Sequence, residues 1–157
     1  MTSAVDTNIL MDLLIPGAAG AETAQRVLDD AATQGDLIIS EPVYAELGAI
    51  FPGQHDLEQF LTTTGLRLVP SDRVVLWHAG EAWRQYRQRR PSRLECPRCG
   101  TGQTVSCTGC GASLNPRQHV LADFLIGAPA QRFADCLLTR DRRYYRTSFP
   151  GLTVRQP

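Results

Sequence analysis

Short apolar runs alternate along the chain with longer stretches whose apolar residues recur at helical spacing. Ala4-Val5 runs into Asp6-Thr7-Asn8, and Ile9 to Leu14 follow before Pro16-Gly17; this pattern is that of a strand delivering an acid to its carboxyl end, then a helical turn. From Glu22 to Gln34, Ala24, Val27, Leu28, Ala31 and Ala32 mark one face of a helix that Gly35 ends. Leu37-Ile38-Ile39 predicts a buried strand. Ser40, with Pro42 in the first turn, opens a helix that Val43 to Phe51 continue and Pro52-Gly53 stop. Asp56 to Thr64 predicts a third helix and Leu66 to Val69 a strand. Ser71 or Asp72 then caps a long helix through Val75, Leu76, Ala79, Ala82, Trp83 and Tyr86. Beyond a cysteine-rich stretch come a helix around Arg117 to Ile126, a strand at Cys136 to Thr139 and a last strand at Leu152 to Val154. Strands alternating with helices predict an α/β fold with a central parallel sheet covered on both faces.

The 157 residues accommodate one domain with a small appendage. A content of 43% hydrophobic and 20% charged residues excludes disordered, collagenous and coiled-coil classes. Asp6 and Asp12 interrupt the amino-terminal segment, where a secretory signal needs a basic start and a clean apolar run. The expectation is a soluble cytoplasmic protein with no membrane partner. The formal net charge of zero conceals a division: residues 1–72 hold 11 acids against Arg26 and Arg67, a net of −9, and the remainder holds 14 Arg against 5 acids, a net of +9. Every cation is Arg, the side chain that forks onto phosphate.

Residues 96–111 read CPRCGTGQTVSCTGCG. The two Cys-x-x-Cys pairs, Cys96 with Cys99 and Cys107 with Cys110, have the spacing of thiolates that wrap one tetrahedral ion, and Gly100 and Gly111 let the backbone bend behind each pair. The expected occupant is structural Zn²⁺, with rubredoxin-like iron and disulfides as the alternatives. Four thiolates leave no open coordination position, so this centre is not catalytic. The segment resembles a zinc ribbon inserted over residues 93–115 between the two parts, 1–92 and 116–157, of the larger domain. Cys136 opens an apolar strand and reads as a small core residue.

Four acids interrupt apolar runs: Asp6, Glu46, Asp123 and Asp141. Ionised carboxylates avoid such surroundings unless paired or bound to metal. In a parallel α/β sheet the carboxyl ends of the strands form one crevice, where Asp6 and Asp141 fall and which Glu46 and Asp123 can flank. Oxygen ligands alone suit Mg²⁺ or Mn²⁺, and such ions activate water for attack on a phosphodiester. The competing reading makes each acid an ordinary cap or surface residue.

Val5-Asp6-Thr7-Asn8-Ile9-Leu10, Ile39-Ser40 to Glu46-Leu47, Ala122-Asp123-Phe124-Leu125-Ile126-Gly127-Ala128 and Leu138-Thr139-Arg140-Asp141-Arg142-Arg143-Tyr144-Tyr145 resemble the ordered motifs of the PIN domain, and most nearly those of VapC-like toxins of type II toxin–antitoxin systems. The resemblance covers the chain apart from the cysteine insert. It implies a three-layer α/β fold and a metal-dependent endoribonuclease. Asp6, Glu46, Asp123 and Asp141 match the family's metal-binding positions, and Asn8 and Thr139 its polar helpers. It implies, further, an RNA substrate, a homodimer and an antitoxin partner. The insert departs from the family's pattern, and so does Pro129, which is expected to cut short the helix bearing Asp123.

Arg84, Arg87, Arg89, Arg90, Arg93 and Arg98 lead into the insert, and Arg140, Arg142, Arg143 and Arg146 surround Asp141; the second group is placed to hold phosphates next to a scissile one. Tyr144 and Tyr145 are candidates to stack on bases, while Trp77 and Trp83 read as core. The alternative function is a non-catalytic RNA-binding or scaffold protein using the insert and the Arg clusters. A phosphatase with an aspartate nucleophile is disfavoured by Asn8, which stands where such enzymes favour a second Asp.

Overall fold

The computed structural model describes residues 1–89, 94–95, 99, 101–114 and 120–157. The elements run β1 (Thr2–Val5), α1 (Thr7–Leu14), α2 (Ala21–Gln34), β2 (Asp36–Ile39), α3 (Glu41–Gly48), α4 (Gln54–Thr64), β3 (Leu66–Leu68) and α5 (Arg73–Arg89). Four two-residue strands follow, β4 (Leu94–Glu95), β5 (Gly102–Gln103), β6 (Val105–Ser106) and β7 (Ser113–Leu114). The chain ends with α6 (Leu121–Phe133), β8 (Cys136–Leu138), α7 (Arg142–Ser148) and β9 (Val154–Arg155).

Five strands form one sheet in the order β3-β2-β1-β8-β9. Every neighbouring pair is parallel, with Ala4 beside Ile38 on one flank of β1 and Val5 beside Leu138 on the other. Successive side chains of a strand face opposite sides of a sheet. Ala4-Val5, Leu37-Ile38-Ile39 and Cys136-Leu137-Leu138 are buried without interruption, so helices cover both faces, as the continuous apolar runs predict. The sheet winds outward in both directions from β1 and β8, and the crevice at their carboxyl ends is the topological switch point where α/β sheets take ligands.

Local chemistry sets the element ends. The Asp72 carboxylate accepts the Val74 and Val75 N–H groups, both at 2.8 Å, and caps α5. Gly65 ends α4 at a φ of 68°, a left-handed conformation that costs glycine nothing. Ser40 does precede α3, although its hydroxyl makes no capping bond.

An aromatic cluster locks α5, α6 and α7 together. Phe124 meets Tyr86, Tyr144 and Phe149 at ring separations of 5.5, 5.4 and 6.3 Å, and Tyr144 meets Tyr145 at 4.9 Å. These edge-on and tilted pairs each add about 1 kcal/mol beyond area burial, and they anchor the helices on which Asp123 and Asp141 stand. Gly127 lies against the Phe149 ring so closely that a Cβ there would overlap it.

The structure corrects four expectations. The α6 helix continues through Pro129 to Phe133; Pro removes only its own N–H, and its ring is buried beside Ala4, Val5 and Ile38, where packing offsets a helix-interior cost of about 3 kcal/mol. Trp77 is 69% exposed, because α5 turns Val75, Ala79 and Ala82 inward and leaves Val74, Leu76 and Trp77 outside, whereas Trp83 packs against the core. Tyr144 and Tyr145 are buried in the aromatic cluster, so neither ring is available to a base. The last strand is displaced to Val154–Arg155, with the Thr153 carbonyl already accepting the Leu137 N–H of β8 at 2.8 Å.

Among the described residues no helix is long and apolar enough to cross a membrane.

Candidate active site

Asp6 follows β1 directly and Thr139 follows β8, so two adjacent strands place them side by side; the Asp6 N–H bonds the Leu138 carbonyl at 3.0 Å. Thr139 Oγ1 donates to Asp6 Oδ2 over 2.5 Å. The Asn8 amide donates to the same carboxylate oxygen at 2.7 Å and to Thr139 Oγ1 at 3.1 Å. The other end of that amide, Oδ1, accepts the Arg140 N–H at 3.1 Å, which fixes the orientation of the group. Asn8 and Thr139 are therefore the polar supports of Asp6, and the Asp-Thr-Asn run spends one turn of α1 building them.

Glu46, on α3, accepts a short hydrogen bond from Thr7 Oγ1. Asp123, in the first turn of α6, accepts the Val120 N–H at 2.8 Å. Asp141 caps α7 by accepting the Tyr144 N–H at 3.3 Å, and its own N–H donates to Thr139 Oγ1 at 3.1 Å. Capping is thus part of what Asp123 and Asp141 do, as the competing reading holds, yet both also line the same space. Asp6, Glu46, Asp123 and Asp141, with Thr7, Asn8, Met11, Ile126 and Tyr145, surround a cleft of about 280 Å³. Neither His nor Cys is among these lining residues.

Asp6 is almost wholly buried. Burial pushes its carboxyl up to about 6; bonds from Thr139 and the Thr7 backbone N–H favour the ionised form but are outweighed, and the charges of Asp123 and Glu46 push in the same direction as burial. Burial is the main cause, and the smaller part that Asp123 and Glu46 add is negative charge that a cation relieves. Among the described residues no three His, Cys, Asp or Glu side chains stand close enough together to hold a metal ion between them; the four carboxylates ring an open cleft. That arrangement fits Mg²⁺ or Mn²⁺, hard ions that take a few carboxylates and keep several of their waters.

Two features escaped the sequence reading. Thr7 ties Glu46 to α1, and its only signal is its place between Asp6 and Asn8. Arg140 forms an ion pair with Asp12, a buried acid on α1. A Cβ at Gly20 would overlap the Arg140 guanidinium and approach Asp12 Oδ2 to 2.7 Å, so the small residue at position 20 makes room for the pair. Arg142, Arg143 and Arg146, by contrast, stand exposed on α7.

Of the four paired cysteines, Cys96 lies outside the described residues, as does His119. The remaining part of the insert forms two short antiparallel ladders, Leu94 beside Gln103 and Val105 beside Leu114. Between β6 and β7 the chain turns tightly: the Cys107 N–H bonds Ala112 O and the Gly111 N–H bonds Cys107 O, each at 2.8 Å, with Gly111 at a φ of 72°. The Gly109 and Cys110 N–H groups, with the Cys110 side chain, hold the Cys107 thiol below its usual range. Cys136 is buried with its Sγ 3.4 Å from Ser3 Oγ, as a core residue.

Fold and site together define an α/β domain with an oxygen-only cleft at the switch point of a parallel sheet. The chain belongs to the PIN domain family, whose model matches residues 4–150. In structure it is similar to VapBC2 from Rickettsia felis, solved bound to a DNA fragment from its promoter, at 17% identity and a TM-score of 0.62 over 99% of this chain and 98% of that one. It is similar to FitAcB from Neisseria gonorrhoeae at 18% identity and a TM-score of 0.60, over 97% and 95% of the two chains. Mycobacterium tuberculosis VapC20, a toxin that cleaves the sarcin–ricin loop, matches at 15% identity and a TM-score of 0.57, over 99% of both chains. No curated protein is significantly similar to the chain in sequence.

Proposed function

We propose that this PIN domain is a Mg²⁺- or Mn²⁺-dependent endoribonuclease that hydrolyses RNA phosphodiester bonds, and that it is the toxin of a toxin–antitoxin pair acting in the cytoplasm. The observation that carries the reading is the convergence of Asp6, Glu46, Asp123 and Asp141, drawn from four separate elements, on one cleft. Those carboxylates are the groups that would hold the ion. When bound, such an ion lowers the pKa of a coordinated water and neutralises charge on the phosphodiester. The chain's own residues prepare the site: Thr139 and Asn8 orient Asp6, Thr7 orients Glu46, and the backbone of α6 and α7 fixes Asp123 and Asp141. No His or Cys nucleophile is needed.

The toxin assignment and the antitoxin partner are supported by the similarity to VapBC and FitAB assemblies, and a homodimer is the assembly that goes with it. We assign structural Zn²⁺ to Cys96, Cys99, Cys107 and Cys110, within an insert spanning residues 93–115 that separates the two parts of the nuclease domain, 1–92 and 116–157. Two observations support it: the tight turn at Gly111, and backbone N–H groups aimed at Cys107 Sγ, which favour a thiolate.

The test is incubation of a mixed pool of single-stranded and structured RNA with purified protein in Mn²⁺ or in EDTA, beside Asp123→Asn. Metal-dependent cuts that vanish in the variant are expected. Folded protein that binds the pool and never cuts it would instead leave a non-catalytic RNA-binding protein.

A further inference from the structure

The α7 helix divides cleanly. Tyr144, Tyr145 and Ser148 are buried, while Arg142, Arg143, Arg146 and Thr147 are exposed. The exposed group, with Arg140, Asp141 and Gln156, borders an open groove of about 540 Å³. Asp141 lines both this groove and the acidic cleft, so the two spaces adjoin at that residue.

Arg140 is engaged: its guanidinium pairs with Asp12, and its carbonyl accepts the Gln156 amide at 2.9 Å. Among the described residues no carboxylate lies within salt-bridge range of Arg142, Arg143 or Arg146. Three like charges on a seven-residue helix repel one another and contribute nothing to the core beneath them. A polyanion relieves that repulsion, and a guanidinium forks onto phosphate oxygens.

We propose that the outer face of α7 is a phosphate track for a single polynucleotide strand, on which Arg142, Arg143 and Arg146 grip successive phosphates on the Asp141 side of the scissile bond. The proposal deepens the nuclease reading and rests on it for the identity of the strand. Acid and base divide the work. The carboxylate cleft repels a bare phosphodiester, and the adjacent cationic face draws the strand across it. Arg140 is excluded from the track and serves as a strut. Sequence proximity alone groups four Arg around Asp141; the structure separates three binding cations from one structural cation.

The experiment measures binding, not cleavage. A fluorescein-labelled 15-nucleotide oligo(U) is titrated in Mg²⁺ with the Asp123→Asn protein, which keeps the RNA intact, from 50 to 300 mM NaCl. The same titration follows with Arg142→Gln, Arg143→Gln and Arg146→Gln combined, which keeps side-chain length and helix propensity. A charge-matched control changes Arg84, Arg87 and Arg89 on α5 to Gln. Each phosphate contact on a single strand contributes about 0.7 to the slope of log K against log salt. Loss of three contacts is therefore expected to flatten the slope by about 2 and to weaken binding more than tenfold at 100 mM, with the thermal midpoint and the α5 control unchanged. An unaltered slope in the α7 variant, or an equal loss in the α5 control, would overturn the track while leaving the cleavage result to judge the nuclease separately. RNA binding that persists while an oligo-glutamate peptide is lost would give the face to an acidic protein segment and overturn it too.

Discussion

Arg140 is joined to Asp12 by an ion pair that ties the loop after β8 to the last turns of α1. The same residue donates its backbone N–H to Asn8, and Asn8 holds Asp6. One arginine thus couples a buried acid to the orientation of the site's amide. Removing one partner of a buried pair costs about 3–5 kcal/mol, but Arg140 is partly solvated, which screens the pair. Arg140→Ala is expected to lower stability by about 1–2 kcal/mol, read as a lower midpoint in urea. The salt slope of RNA binding should not change. A changed slope at unchanged stability would make Arg140 a phosphate contact.

Asp6 carries a pH signature. Its carboxyl is raised from an ordinary 3.8 to about 6 in the folded chain. Between those values the folded state binds more protons than the unfolded state, so metal-free stability falls as pH rises from about 4 to 6 and then levels. At 1.36 kcal/mol per unit the cost at neutral pH is at most about 3 kcal/mol. Asp6→Asn, whose amide oxygen still accepts from Thr139 and Asn8, should flatten the pH profile and stabilise the metal-free protein at pH 7. Saturating Mg²⁺ should raise the melting temperature of the wild type and not of the variant. Calorimetry across pH 4–8 checks both.

Gly127 is fixed by its neighbour. A Cβ would overlap the Phe149 ring, and that ring cannot withdraw without disturbing Phe124 and Tyr145. Gly127→Ala is expected to cost about 1–3 kcal/mol. Because α6 bears Asp123, cleavage should decline along with stability, as denaturant melts and a rate assay on the same sample would show.

The cysteine insert makes a separable prediction. Purified protein should carry one equivalent of zinc by elemental analysis, and Cys107→Ser with Cys110→Ser should lose it. Among the described residues of the insert none belongs to the hydrophobic core, so chelation should leave the far-ultraviolet circular dichroism of the α/β body intact. Protein with full α/β content but no zinc in either form would contradict the assignment.

Much of this was legible in the chain because an acid or hydroxyl at the end of an apolar run is conspicuous. Asp6 and Thr139 end two such runs, and parallel pairing of β1 with β8 brings them together. Glu46 and Asp123 stood out for the same reason inside apolar helical segments. What was hidden depends on distance in sequence or on packing. Asp12 and Arg140 lie on elements from opposite ends of the chain, and no local pattern joins them. Helical periodicity marked Trp77 as core, but α5 has one buried stripe, and Trp77 falls outside it. Pro129 predicted a break that its burial against β1 and β2 overrides. Tyr144 and Tyr145 read as base-stacking rings until the aromatic cluster enclosed them.

The claim that the carboxylate cleft takes a divalent ion is tested most directly by titrating Mn²⁺ into the wild type, Asp6→Asn and Asp123→Asn by calorimetry, with RNA cleavage followed on the same preparations. Saturable binding in the wild type, weakened more than tenfold in each variant together with loss of cleavage, is the predicted result. Cleavage that survives EDTA, or that both variants retain, would contradict it.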